Sequence, residues 1–268
     1  MSSVARPIIK QIKDSRDALD FFEKVSLPKE DEKTQDIIMN FPTVYIHNWQ
    51  ESGDFEVYVG ESNDIFKRTR QHYDAASDKS RWQSKLLEKD ASLFIIGHEH
   101  FNKSLTLDIE NRLMHYMMSV DRVKHVYNLR DNPQTSYYPM EELDDIFGKI
   151  WGGLRKENKE LFPSESAIKD SAIYKASPLH KLTKEQEKAR DLIIQKVSKA
   201  LENKETRQLI FIDGEAGTGK TVLNSSTFYE LYCQAEENNR NLKCFLLVNH
   251  DEQITVYEQI AEKLGLIE

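Results

Sequence analysis

The sequence predicts an α/β protein in two parts, a small mixed α/β layer followed by an incomplete parallel α/β unit. Three observations carry that expectation. Two tyrosine-bearing runs of β-forming residues lead into a basic helix, an acidic side chain interrupts the apolar arc of a later helix, and a third apolar run opens directly into a glycine-rich loop.

The first two runs, Thr43-Val44-Tyr45-Ile46 and Val57-Tyr58-Val59-Gly60, have the β-branched and aromatic composition of strands, and Gly53-Asp54 supplies a turn between them. A hairpin is therefore expected. Gly60 leaves room beside the second tyrosine, and Ser62 or Asn63 is placed to cap the next helix. With successive residues advancing about 100°, Ile65, Phe66, Thr69, Tyr73 and Ala76 share one arc of that helix. Lys67 and Arg70 fall opposite. Arg68 and His72, four residues apart, lie on an edge of the apolar arc, where a helix resting on a sheet meets solvent. From that edge a guanidinium reaches a phosphate held over the hairpin with a charge that does not titrate. An ordinary solvated basic edge is the alternative.

The later helix covers residues 105–119. Leu105, Leu107, Ile109, Leu113, Met114, Tyr116, Met117 and Met118 form a wide apolar arc, with Asp108, Asn111, Arg112, His115 and Ser119 turned away. Glu110 points into the apolar arc. An ionised, unpaired carboxylate there costs on the order of several kcal/mol, so Glu110 neutralises, pairs with a cation such as Arg68, or binds a metal. Glu99 and Asp108 are weaker acidic candidates, one in a loop-like segment and one on the polar face. Asn128, after Val126-Tyr127, reads by itself as a turn former.

Taken together these residues resemble the GIY-YIG endonuclease family. Val44-Tyr45 stands for the first motif and Tyr58-Val59-Gly60 for the second, with Arg68 and His72 where the family has a helix arginine and a nearby histidine. Glu110 corresponds to the single metal-binding glutamate, and Tyr127-Asn128 to the closing segment whose asparagine helps hold the site together. The first motif departs from the pattern, because Thr43 and Val44 replace Gly and Ile and only Tyr45 matches strictly. The resemblance implies metal-dependent hydrolysis of phosphodiester bonds in DNA, with Mg²⁺ or Mn²⁺ on Glu110 and a phosphate oxygen, and with water attacking near Tyr45 and Tyr58. Arg68 would share in neutralising the phosphate. Because an unperturbed tyrosine has a pKa near about 10, the base stays open between Tyr45, Tyr58 and His72.

The last observation is the run Gln208-Leu209-Ile210-Phe211-Ile212-Asp213, which enters Gly214-Glu215-Ala216-Gly217-Thr218-Gly219-Lys220-Thr221. The loop is a full Walker A match. A strand, a glycine loop and a helix beginning at its end let backbone N–H groups of Gly214, Gly217 and Gly219 wrap phosphates, with Lys220 on the outer phosphates and Thr221 on magnesium. Residues 242–249 read as a second buried strand, followed by a helix over 255–264. Upstream, Leu182-Thr183-Lys184-Glu185-Gln186 resembles the adenine-contacting segment of first-superfamily helicases, with Gln186 as the discriminating residue. Together with the nuclease-like region, the chain looks like bacterial proteins that join a GIY-YIG nuclease to a Schlafen-like P-loop helicase domain. That resemblance implies ATP as a ligand. The acidic pair, sensor and arginine finger of a complete motor are not recognisable, Asp251-Glu252 following too soon after the loop, so little or no ATP hydrolysis is expected unless another chain supplies the missing lobes.

Composition bounds these readings. The 268 residues suffice for two modest domains. With Lys+Arg 37 against Asp+Glu 45 and a net charge of −8, the chain lacks a general basic excess, so any DNA contact must be local. Lys67, Arg68, Arg70, Lys79, Arg81 and Lys85 supply a candidate strip, with Tyr73 and Trp82 among them for stacking. His98 and His100 have no partners at zinc spacing and read as loop histidines. Cys233 and Cys244 read as reduced core thiols, and neither a signal peptide nor a membrane span is evident, so a cytoplasmic location is expected. The anticipated organisation is a helical extension over residues 1–40, the nuclease-like domain over 41–134, a helical linker over 135–180 and the partial P-loop unit over 181–268.

Overall fold

A five-stranded mixed sheet, in the order β1-β4-β2-β3-β5, organises the first of two units in this computed structural model of the protein. Its strands are β1 (Ile8–Lys13), β2 (Thr43–Glu51), β3 (Asp54–Ser62), β4 (Ser92–Gly97) and β5 (Val123–Tyr127). Residues 5–78, 82–88, 90–128, 140–237 and 242–267 are described; Lys79, Arg81 and Leu129 lie outside them. The units comprise Met1–Lys169 with Ala261–Glu268, and Asp170–Ile260.

β2 and β3 form the anticipated hairpin, with Tyr45 opposite Gly60 and His47 opposite Tyr58. The turn sits one residue earlier than expected, at Ser52 and Gly53. Both have positive φ, 54° and 93°, as a two-residue turn between twisted strands demands. β4 runs antiparallel to β2 and β1, whereas β5 runs parallel to β3. The N-terminal stretch is therefore not a helical extension alone. Its Ile8–Lys13 segment closes the sheet edge, and its lysines protect that edge from further pairing. Helix α1 (Arg16–Phe21), a π turn (Phe22–Ser26), a 3-10 turn (Leu27–Lys29) and α2 (Glu32–Asn40) complete this region.

Strand alternation sends Tyr45, His47, Trp49 and Tyr58 to one face, where they join Leu93 and Ile95 of β4. Helix α3 (Ile65–Ala75) covers this face with Ile65, Phe66, Thr69 and Tyr73 buried. Its cap is Asp64, which accepts from the Lys67 N–H at 2.9 Å; Ser62 instead braces Asp64. A 3-10 turn (Trp82–Ser84) and the short α4 (Lys85–Glu88) follow.

The opposite face carries α5 (Lys103–Met118) and α6 (Leu143–Glu157). Phe94 points there and meets Phe162 at 5.4 Å between ring centroids, Phe162 meets Trp151, and Trp151 meets Tyr116 of α5. Because α6 covers α5, Asp108 and His115 are buried rather than solvent-facing. α6 also buries Ile146, Phe147, Ile150 and Trp151, so this part of the anticipated linker belongs to the core. α7 (Glu165–Asp170) follows it, and Glu165 accepts from the Tyr116 hydroxyl at 3.0 Å.

The second unit contains α8 (Ala172–Ala176), α9 (Lys184–Glu202), α10 (Lys220–Glu237) and most of α11 (Asp251–Lys263). α10 packs against α8 and α9. Neither anticipated strand forms: residues 208–213 and 242–249 have no ladder partner among the described residues, and Phe211, Phe245 and Leu247 are exposed. A parallel strand persists only where neighbours take up its backbone groups and cover both its faces. Cys233 and Cys244 are half-buried rather than core thiols. No helix among the described residues is long and apolar enough to cross a membrane.

Gly60 is the tightest point of the hairpin. A Cβ added there would lie 2.5 Å from Tyr45 Cζ, 2.6 Å from its hydroxyl and 2.9 Å from Tyr58 Cε1. Both rings are buried, so neither moves aside freely. Gly60→Ala is expected to cost about 1–3 kcal/mol through overpacking, seen as a lower urea midpoint.

Candidate functional site

Four of the six candidate residues, Tyr45, Tyr58, Arg68 and His72, meet at the two phenols, and Glu110 and Asn128 join on β3. Tyr45 and Tyr58 stack with centroids 6.1 Å apart, and the Tyr45 hydroxyl lies 3.0 Å from His72 Nε2. The Arg68 guanidinium interacts with both phenols while its Nη1 donates to Gln71 at 3.3 Å. From the other side of the sheet, Glu110 Oε1 accepts from Asn128 Nδ2 at 2.9 Å, and the same Nδ2 donates to the Val59 carbonyl at 2.8 Å. Asn128 adopts φ 71°, a left-handed conformation that asparagine tolerates, and this turns its amide back towards β3. Glu110 is thereby tied to the strand carrying Tyr58, whose phenol feels its charge.

The electrostatics follow from burial. Burial holds the Tyr45 phenol well above its usual range, Tyr58 adds to the shift, and Arg68 opposes it. Tyr58 is raised for the same first reason, again opposed by Arg68. His72 is pushed down to about 3 by burial, helped by the nearby His47 and Arg68. His72 is thus a neutral imidazole packed inside the site, not the solvent-edge residue the helical angle suggested. Its side chain turns under α3 towards the phenols.

Among the described residues no group of three or more His, Cys, Asp or Glu is arranged to hold a metal ion. The acidic candidates are dispersed: Glu99 pairs with Lys33 at 2.5 Å, and Asp108 lies buried on the α6 side of α5. His98 approaches the Ala5 carbonyl, and His100 pairs with Glu142. One buried carboxylate suits a hard, mostly hydrated cation such as Mg²⁺, not a multidentate cage.

The anticipated basic strip is smaller than its sequence. Arg70 is held by Asp20 and Glu23, and Lys85 by Glu51 at 2.9 Å. Lys67 and Arg68 remain at the helix surface. Tyr73 is buried with its hydroxyl on Asp14 at 2.7 Å, so it offers no stacking surface. Trp82 stacks on Tyr58 at 4.1 Å and 17°, at the edge of a cluster that includes Trp49, Tyr127, His47 and His72.

His47 of this cluster and Asp14 beside it were not singled out as functional from sequence. His47 is fully buried, with Nδ1 2.5 Å from Asp14 Oδ2 and Nε2 without a hydrogen-bond partner. An unsatisfied buried nitrogen costs about 1–3 kcal/mol. The position of His47 two residues after Tyr45 on a strand was the available signal, since period two puts both on one face. Asp14 carried none, because only the sheet brings β1 to β2.

In the second unit, Lys220 Nζ donates to the carbonyls of Gly214 at 2.6 Å and Glu215 at 2.8 Å, so the ammonium closes its own loop. Gly217 and Gly219 take positive φ, 83° and 81°. Gln186 receives the Thr183 N–H on its Oε1 and donates from Nε2 to the Thr218 carbonyl at 3.0 Å. That capping box joins the start of α9 to the glycine loop, and Lys220 begins α10 with Thr221 as its second residue.

Acidification should expose the burial of His72. Its folded pKa lies below the unfolded value of 6.5, so the unfolded state binds the extra proton first as pH falls. The stability it contributes is complete above about pH 6.5 and is lost progressively towards pH 3. His72→Gln is expected to flatten the decline of the thermal midpoint over this window, measured by circular dichroism.

Compared with protein families, residues 207–267 match the model for the DNA/RNA helicase domain of Schlafen group 3. No curated protein and no solved structure matches the chain.

Proposed function

We propose that the first unit is a metal-dependent phosphodiesterase of GIY-YIG type acting on DNA, and that the second is the nucleotide-binding part of a helicase-like domain. The single observation that carries the first reading is the convergence of Tyr45, Tyr58, Arg68 and His72 on one another, with Glu110 tied to β3 through Asn128. In this reading Arg68 binds the scissile phosphate and neutralises the charge that grows on its oxygens. The phenols orient the attacking water beside it, and neutral His72 holds the Tyr45 hydroxyl in place. Glu110 would hold Mg²⁺ or Mn²⁺, whose chemistry there is Lewis-acid stabilisation of the phosphate. Trp82 and the Lys67 edge give the nucleic acid a stacking surface and a local positive contact.

The test is nicking of supercoiled plasmid in Mg²⁺ or Mn²⁺. Arg68→Ala and Glu110→Gln are each expected to lower the rate about 100-fold or more, with circular dichroism unchanged. A folded wild-type protein that does not cut, or variants that cut at the wild-type rate, would leave a non-catalytic nucleic-acid-binding module instead.

The second reading rests on the helicase-domain match over residues 207–267 and on the loop shape of residues 214–221. The match bears on this second reading alone. Here ATP phosphates replace the two carbonyls that now hold Lys220, and Gln186 lies beside the loop for the base. Binding of a fluorescent ATP analogue in Mg²⁺ is expected to weaken about 10-fold or more in Lys220→Ala, as loss of a charged contact to phosphate requires. Equal binding by both proteins would refute it.

A further inference from the structure

We propose that Asp14 and His47 form a proton-accepting pair beneath Tyr58, so that His47 Nε2 receives, by way of that phenol, the proton released when water attacks the phosphodiester. The inference rests on the phosphodiesterase reading and deepens it. It also separates the roles of the two phenols.

The geometry is that of an oriented base. Asp14 is fixed three ways: its N–H donates to the Ala91 carbonyl at 2.8 Å, its Oδ1 accepts from Tyr73, and its Oδ2 meets His47 Nδ1 at 2.5 Å. With Nδ1–H donated to the carboxylate, the imidazole lone pair resides on Nε2. That atom is fully buried and unpartnered, which is the state of an acceptor kept ready and not of a structural histidine with both nitrogens satisfied. His47 and Tyr58 are directly opposed in the hairpin, their ring centroids 5.9 Å apart. His72 is a poorer acceptor, since its Nε2 is already engaged by Tyr45 and no carboxylate among the described residues pairs with it. Its depressed proton affinity agrees.

The step balances as follows. The attacking water gives a proton to the Tyr58 oxygen as the phenol's own hydrogen passes to His47 Nε2. The water oxygen bonds to phosphorus, the bond from phosphorus to the leaving oxygen breaks, and the leaving oxygen takes a proton from solvent. The imidazolium that results faces the Asp14 carboxylate and returns its proton to solvent. The groups facing His47 are Asp14 from the turn after β1, Tyr45 on its own strand, Tyr58 on β3, His72 on α3 and the Trp82 ring; Leu93, opposite on β4, is apolar. Acting through Tyr58, His47 is a relay and positioning residue.

The test uses the full chain, with kcat and KM for an oligonucleotide duplex in Mn²⁺ followed across pH. His47→Gln is expected to lower kcat about 100-fold with KM changed by less than about twofold. Asp14→Asn is expected to lower kcat and move the acid limb of its pH profile to lower pH, because the imidazolium loses its counter-charge. Nitrogen-15 spectra of the wild-type protein should show His47 protonated on Nδ1 alone. Full activity with an unchanged profile, activity lost only in proportion to folded protein, or protonation on Nε2 would overturn the relay. If the wild-type cuts, Arg68→Ala does not and His47→Gln cuts fully, the relay alone falls. If the wild-type does not cut at all, the phosphodiesterase reading falls with it.

Discussion

The first unit is built around a close approach that only a missing side chain allows. Gly60 stands opposite Tyr45 in the hairpin, and the Tyr45 phenol lies where a Cβ would be. Because the ring crosses over the neighbouring strand, its hydroxyl comes within reach of His72 on the overlying helix, and Tyr58, two residues before the glycine, can stack alongside. Any larger residue at position 60 would push the phenols apart and with them the surface that Arg68 faces. The local rule that glycine admits close backbone approach thus controls the site's geometry.

The rest of the unit supports that arrangement from both faces of the sheet. On one face α3 covers the phenols with apolar residues while Arg68 stays half-buried at its edge, so charges there are felt at short range. On the other, the aromatic sequence Phe94, Phe162, Trp151 and Tyr116 fixes α5 against the sheet. Glu110 rides on that helix and is steered by Asn128 towards β3. The carboxylate and the phenols therefore come from opposite layers, and Asn128 links the acid to β3 by bonding both it and the Val59 carbonyl.

The second unit obeys a different constraint. Its glycine loop has positive φ at Gly217 and Gly219 and the helix start that the sequence called for, yet the apolar runs on either side form no ladder among the described residues. Lys220 turns inward to its own loop carbonyls, which satisfies an ammonium that would otherwise face solvent. Gln186 performs two tasks at once, capping α9 and bonding the loop at Thr218.

What the sequence by itself determined was local: the hairpin, with its turn set one residue late at Gly53-Asp54, the space at Gly60, the apolar arc of α3, and the oddity of Glu110 among Leu113, Met114 and Met117. These are legible because strand and helix periods depend on neighbours a few residues away. Tertiary structure decided the rest. Ile8–Lys13 became an edge strand because β4 offered it a partner, α6 became core because α5 needed cover, and the runs at 208–213 and 242–249 stayed out of strands for want of neighbours. His72 moved from an inferred solvent edge to the interior, Arg70 was drawn off by Asp20 and Glu23, and Asp14 met His47 across 33 residues. Ladder pairing, burial and charge pairing between distant segments leave no periodic trace in the chain, so they become visible only once the segments are packed.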